Sequence, residues 1–414
     1  MLDIQYVVKH NLCMGCGICS IDKNIVDIAF NKKNDCPTPQ NTCLGQDSIA
    51  AKVCPGKGYN IVAKGQELYG KGKYDPMLGY FQYLTAAHTN DTTILKNASS
   101  GGVITHILMY LLEKGIVDKV AVTQFYCDRK GVHTRSFLTD SKIEILKSQG
   151  SKYCPVDLSG LLEQLHTYTG KVAIMATPCA IAGIRNIQEF TPDYIKSKIV
   201  FTIANFCGGF KSFKNIKRLA EIHKIDYYNL KTFRFRGEGQ PGGLLFIENN
   251  GKTAATPYPQ YVGLNGYSKM HRCFVCPDAT GELADIACGD AWIQRFQEDM
   301  SPWSMIICRN KKAENIIKDM GENGAMTLAD VSTDEIKLSQ RFNLNSKKTR
   351  QKARMSLYKI LRKSIPEFDG GYNDKTTSLK TELNITFKHW LTLLAERSGL
   401  YMILYGRKKL YNKK

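Results

Sequence analysis

The chain has no run of apolar residues long enough to cross a bilayer. Its longest uncharged apolar stretch, Val172 to Ile184, is thirteen residues, short of the roughly 20 that a spanning helix needs. The opening residues, MLDIQYVVKHNLC, are interrupted by Asp3, Lys9 and His10, so they lack the unbroken apolar core of a secretory leader. A soluble, cytoplasmic protein is the expectation. There is no internal repeat, no low-complexity tract, no Walker loop and no GxGxxG fingerprint, which sets aside repeat architectures and the commonest nucleotide-binding signatures. Acid is scarce: 38 Asp and Glu stand against 57 Lys and Arg, for a net charge of +19.

That deficit is local. From Arg341 to Lys414 eighteen basic residues face five acidic ones, which leaves only +6 for the first 340 residues. The 414 residues are 43% hydrophobic and 23% charged, ordinary globular values that exclude wholesale disorder, collagen and a simple coiled coil. The length corresponds to two or three domains. Fourteen cysteines are many for this size. In a reducing compartment such clusters serve as metal ligands or redox groups rather than disulfides.

Along the chain, residues 1–70 hold six cysteines and little periodicity, the mark of a small metal-organised module. YFQYLTAAHT reads as a strand. VITHILMYLLEKG carries Val103, Ile107, Leu111 and Leu112 at helical spacing, with Gly115 as its stop. VDKVAVTQF, KVAIMATPC (171–179) and KIVFTIANFC (198–207) read as strands, the last two each ending in cysteine, with helices AGIRNIQEF and FKNIKRLAEIHK after them. Alternating strand and helix predicts an α/β fold with at least partly parallel pairing. Cys179 and Cys207 then fall at strand C-terminal ends, where open α/β sheets place their sites. KTFRFRGEGQPGGLLFIENNGK reads as a hairpin region. Beyond about residue 330 the pattern turns helical and basic. The expected division is 1–70, 71–330 and 331–414.

Three constellations carry chemistry. In Cys13-Met14-Gly15-Cys16-Gly17-Ile18-Cys19, thiols at i, i+3 and i+6 can wrap one compact iron–sulfur cluster, with glycines letting backbone N–H groups approach it. Structural zinc usually takes separated cysteine pairs. The fourth ligand would be Cys54, in Cys54-Pro55, with Cys43 as its rival; Cys36 reads as a spare thiol. The second constellation is Cys273-Phe274-Val275-Cys276, half of a zinc, redox or cluster site, whose other half could be Cys179 and Cys207. Cys127, Cys154, Cys288 and Cys308 read as ordinary thiols. The third is Ser99-Ser100-Gly101-Gly102 opening a helix, where free N–H groups and the helix dipole favour a phosphate; an ordinary capped helix start fits as well. Gly150-Ser151-Lys152-Tyr153 offers a cation and a ring beside a ligand.

In this order the motifs resemble the coenzyme F420 hydrogenase/dehydrogenase beta-subunit family of iron–sulfur flavoproteins. The likeness rests on residues 96–105, Gly150 to Tyr153, Thr177-Pro-Cys179, Phe206-Cys-Gly208, Arg272-Cys-x2-Cys-x-Asp278, Glu282 to Ile286 and Gly289-Asp-Ala-Trp292. It spans roughly residues 8–310. It implies an N-terminal ferredoxin-like module and a mixed-sheet FAD domain followed by the basic helical region. A second [4Fe–4S] cluster on Cys179, Cys207, Cys273 and Cys276 is implied too. So is an FAD contacted by Ser99, Ser100, Gly101, Gly102, Thr105, Gly150, Ser151, Lys152, Tyr153 and Thr177. Lys152 could stabilise a reduced flavin's negative charge. Arg234 and Arg236 could grip an acidic substrate by forked hydrogen bonds, though surface strand charge is the plainer reading of both. Asp285 and Asp290 could orient ligand or cap turns. Two departures from the family stand out. One stretched ferredoxin-like motif replaces two complete ones, and Arg236-Gly-Glu-Gly-Gln240 lacks the tryptophan often found after that glycine.

The function so implied is an oxidoreductase relaying electrons between a ferredoxin-type carrier or another redox subunit, two [4Fe–4S] clusters and FAD. Hydride would be exchanged with coenzyme F420 or another small organic acceptor. The alternatives are a ferredoxin-dependent reductase of a sugar or glycan precursor, a non-catalytic electron-transfer subunit, and a zinc-organised nucleic-acid binder. The last is not expected, because no binding module accompanies the charge. Near the C-terminus Phe387, Leu391, Leu394, Tyr401 and Tyr405 share roughly one helical face, with Lys388, Arg397, Arg407 and Lys408 elsewhere. That face could dock on the protein body, on a partner, or peripherally on an anionic membrane; the body is the plainest reading.

Overall fold

A computed structural model describes residues 3–22, 26–33, 35–40, 45–191, 193–298, 301–372 and 377–398. Its centre is a mixed sheet of eight strands in the order 326–330, 83–89, 304–308, 286–290, 199–205, 172–176, 119–128, 131–139. Val172–Ala176, Ile199–Asn205 and Ile286–Asp290 run side by side and parallel. Lys119–Asp128 extends the parallel set, and antiparallel strands finish both ends. The parallel strands are almost wholly buried, which is why they read as continuous apolar runs rather than alternating ones.

Each face of the sheet has its own core. Helix Val103–Glu113 and helix Lys311–Glu322 pack one face through Ile107, Leu111, Ile316 and Ile317. Helix Pro178–Phe190 and helix Ser159–Thr167 cover the other through Ile181, Ile184, Leu161 and Leu165. A separate three-stranded antiparallel sheet, 230–234, 243–248 and 253–257, is closed by Phe233, Phe235, Phe246 and Tyr261.

Residues 1–70 are more regular than their sequence pattern suggests. They contain helices Ile4–Lys9, Ile49–Val53 and Ile61–Tyr69, too short to show a clear period. Ile18, Ile21, Val53 and Ile61 lie in the same core as helices 159–167 and 178–190, so this segment is built onto the large sheet. The C-terminal segment is tied in as well: Glu367–Phe368 pairs with Gly58–Tyr59. The fully buried Glu382 accepts from Arg350 (2.8 and 3.1 Å) and Arg354 (2.9 Å).

Phe387, Leu391 and Leu394, the face read as docking on the body, point outward instead and are about half exposed. Glu382 and its two arginines orient the helix, so the apolar face is left outside. Tyr401, Tyr405, Arg407 and Lys408 lie outside the described residues. Among the described residues no helix is long and apolar enough to cross a membrane.

Candidate redox and ligand site

The first thiol set forms just after helix Ile4–Lys9. Gly15 and Gly17 both take φ near +70°, a region open to glycine at little cost. A Cβ on Gly15 would sit 2.5 Å from the sulfur of Cys36, so the backbone there bends where a side chain has no room. The result is that Cys13, Cys16, Cys19 and Cys54 line one cavity. Cys54 thus lies beside the CxxCxxC loop; its rival Cys43 lies outside the described residues. Burial pushes the Cys13 thiol up to about 12. It raises Cys16 and Cys19 as well, with the charge of Cys54 the next cause for both.

The second set gathers three distant stretches. Cys179 starts helix Pro178–Phe190, Cys207 follows strand Ile199–Asn205, and Cys273 and Cys276 flank the end of the short helix His271–Phe274. Burial first, then the charges of Cys276, Cys207 and Cys273, push Cys179 up to about 12. Cys276 behaves differently. Burial raises its pKa, but Lys347 and Arg272 outweigh burial and leave it below its ordinary value. The Lys347 ammonium is buried, 3.7 Å from the Cys276 sulfur and donating to the Asp278 carbonyl at 2.7 Å. The two sets adjoin. Met14, between Cys13 and Cys16, packs with Cys179 and Cys273, and Arg272 donates to the carbonyl of Pro55, next to Cys54, at 2.9 Å.

Two observations test what these thiols could hold. Among the described residues, no three His, Cys, Asp or Glu side chains converge closely enough for a single metal ion. Arg272, fully buried, leaves Nε and Nη1 without a partner among the described residues. Two unmet cationic donors beside four cysteines fit an anionic cluster with acceptor sulfurs.

The ligand loops meet at the same edge of the sheet. Gly102 caps helix Val103–Glu113 at φ +70°. Gly101 lies so close to strand Tyr83–Thr89 that a Cβ would meet the Ala87 carbonyl at 2.5 Å. Ser100 Oγ donates to the Trp303 carbonyl (2.8 Å), and Gly101 N donates to Ser304 Oγ (3.0 Å). Ser99 Oγ is buried without a partner among the described residues, at the positive end of an eleven-residue helix. Thr105 is half-buried one turn further on. Thr177 Oγ1 lies 3.4 Å from the Cys179 sulfur.

Arg236 ties these loops together. Its guanidinium donates to Asp290 (2.8 Å), to the Pro241 carbonyl (2.8 Å), to Tyr153 Oη (3.4 Å) and to the Ser99 carbonyl. It is 3% exposed. Burial alone would lower its pKa, and Asp290 reverses the sign and raises it. The group expected to grip a substrate thus has its donors occupied by the protein. Arg234 pairs with Glu238 at 2.6 Å.

Lys152 donates to the carbonyls of Gly150 (2.9 Å), Gln149 (3.3 Å) and Ser148, and burial lowers its pKa to about 8. Ser151 and Tyr153 flank it, half-buried. Asp285 is occupied structurally by Thr202 N, Thr202 Oγ1 (2.8 Å each) and Arg185 (3.1 Å). The role of Lys347, and the stacking of Tyr258 on Trp292 beside Arg236, show only in the fold. Lys347 sits in a basic run with no spacing signal.

Two adjoining buried thiol sets, one of them at the C-terminal ends of parallel strands, lie beside a glycine-rich helix start. The chain belongs to the coenzyme F420 hydrogenase/dehydrogenase beta-subunit family. Residues 84–163 match the N-terminal model of that subunit and 169–334 its C-terminal model. An uncharacterized protein of Methanocaldococcus jannaschii is 25% identical over 344 residues, covering 78% of this chain and 90% of that one. The coenzyme F420-dependent sulfite reductase of the same organism is 25% identical over 76% of this chain, which spans 46% of that longer protein. The coenzyme F420 hydrogenase subunit beta of Methanosarcina barkeri is 26% identical, covering 58% of this chain and 79% of that one. A chain of the F420-reducing [NiFe] hydrogenase complex from Methanosarcina barkeri shares the fold, with TM-score 0.55 and 21% identity, over 71% of this chain and 98% of that one.

Proposed function

We propose that the protein is an iron–sulfur flavoprotein oxidoreductase. It would relay electrons between an acidic ferredoxin-type carrier and an organic hydride acceptor, coenzyme F420 or a related compound. Cys13, Cys16, Cys19 and Cys54 would hold one [4Fe–4S] cluster, and Cys179, Cys207, Cys273 and Cys276 the other. The observation that carries this proposal is the grouping of eight cysteines into two adjoining sets of four, one of them beside unmet Arg272 donors. When bound, such clusters exchange single electrons, and a flavin couples single-electron to hydride chemistry.

The chain's own residues then have separable tasks. The raised thiols must lose their protons when metal loads, so assembly releases protons. Ser99 Oγ and the free N–H groups at the start of helix Val103–Glu113 would take the pyrophosphate of FAD. Arg236 fixes the loops around the ring system. The carrier's side is suggested by a basic cavity of about 1080 Å³ that opens on Cys13. It is lined by Lys33, Lys214, Lys217, Arg218, Lys269 and Arg397 against Glu221 and Glu396. One-electron exchange needs approach and not covalent contact, so an acidic protein surface there suffices.

Anaerobic purification is expected to give about eight irons and one FAD per chain; zinc without flavin would refute the proposal. Turnover of purified deazaflavin coenzyme against reduced ferredoxin then separates an enzyme from a passive subunit. Lys347 has its own test. Lys347→Met removes a buried positive charge beside Cys276. It is expected to lower the midpoint potential of the second cluster by on the order of 50 mV, leaving the first unmoved. Lys347→Arg should restore most of the difference. A redox titration followed by electron paramagnetic resonance reads both centres at once.

A further inference from the structure

The last described helix, Leu379–Arg397, is inverted relative to an ordinary surface helix. It turns acid toward the body: Glu382 is fully buried between Arg350 and Arg354, and Glu396 accepts from the Tyr267 amide at 3.3 Å. The opposite arc carries Leu379, Leu383, Phe387, Trp390, Leu391 and Leu394, between 43% and 56% exposed. At 3.6 residues per turn these positions fall within an arc of about 120°. One continuous row of six large apolar side chains in water marks a contact surface.

We propose that this arc rests on an anionic lipid surface, with the helix lying in the plane of the interface. Lys380, Lys388 and Arg397 belong to the same helix, and no acidic residue follows Glu396. The sequence runs on through Leu400-Tyr-Met-Ile-Leu-Tyr405 to Arg407, Lys408, Lys409, Lys413 and Lys414. Leucine and aromatic residues with a flanking basic set are the composition of interfacial helices. The core of a protein–protein interface is depleted in lysine. Trp390, with Phe387 stacked against it at 6.1 Å, suits the headgroup level. Glu382, buried against the body in the first turn of the helix, fits lying on a membrane rather than crossing it. The helix falls outside the stretches that match the family models, 84–163 and 169–334.

The test is co-sedimentation of the full chain with vesicles of phosphatidylcholine alone or with phosphatidylglycerol added. Binding to the anionic vesicles is expected, roughly tenfold weaker on the neutral ones and released by salt. Trp390→Glu with Leu391→Glu should abolish it without moving the thermal midpoint. Leu383→Glu with Phe387→Glu repeats the test at the other end of the arc. Any of four results overturns the proposal: no binding to anionic vesicles, binding that survives both double variants, unfolding of both variants, or a lipid-free dimer that they split. Neither clusters nor flavin enter this experiment, so its outcome is independent of the redox assignment.

Discussion

Cys276→Ser is expected to reduce the iron of anaerobically prepared protein from about eight to about four atoms per chain and to abolish reduction of bound flavin by a ferredoxin-type carrier. Cys16→Ser should cost the same amount of iron and block carrier-driven reduction, yet leave flavin binding largely intact. The two sets adjoin but are held by different elements. Cys16 belongs to the loop after helix Ile4–Lys9, whereas Cys276 lies beside Lys347 and Asp278. Removing the Cys276 thiolate also strands the buried Lys347 ammonium and the Arg272 guanidinium, and an uncompensated buried charge costs about 3–5 kcal/mol. Cys276→Ser should therefore melt earlier than Cys16→Ser, because Lys347 and Arg272 hold Cys276 below its ordinary pKa whereas burial raises Cys16. Iron analysis, flavin content and a thermal melt on the same preparations check all three statements. Carrier-driven turnover unchanged in Cys16→Ser would reverse the assigned order of the two sets.

What was legible in the sequence follows from range. The strands 172–176 and 199–205 are buried on both faces, so their apolar runs show without reference to neighbours, and the cysteines that end them follow. The CxxCxxC spacing is local too. Long-range facts were harder. Cys54 stands out locally by its Cys-Pro pair, but its place beside Cys13 rests on a cavity that joins residues far apart in the chain. Lys347 reaches Cys276 across 71 residues, from a run of lysines that reads as solvated charge. The helix at 379–397 shows the opposite failure. Its apolar period was visible, but which side faces the body depends on Glu382 finding Arg350 and Arg354.

Arg236 was visible as a cation near the hairpin, and only its burial shows that it organises the site. Arg236→Met is expected to strip FAD from the protein while leaving about eight irons in place. The guanidinium is the one group that touches the Ser99 loop, the Tyr153 ring, the Pro241 turn and Asp290 together. A methionine fills the volume but donates nothing. Asp290 then loses its ion pair, the Pro241 and Ser99 carbonyls lose a donor, and breaking such a buried pair costs about 3–5 kcal/mol. Arg236→Lys keeps the charge but has one nitrogen where the arginine has three, so it can hold Asp290 or the Ser99 loop, not both. Its flavin content should fall between the two. Asp290→Asn, with the same shape and no charge, should resemble the methionine variant more than the lysine one, because it leaves Arg236 buried and unpaired. Flavin-to-iron ratios across these variants distinguish this scaffold role from direct contact with an acidic substrate. If Arg236→Met retained full FAD and lost only affinity for the hydride acceptor, the arginine would be a substrate ligand after all.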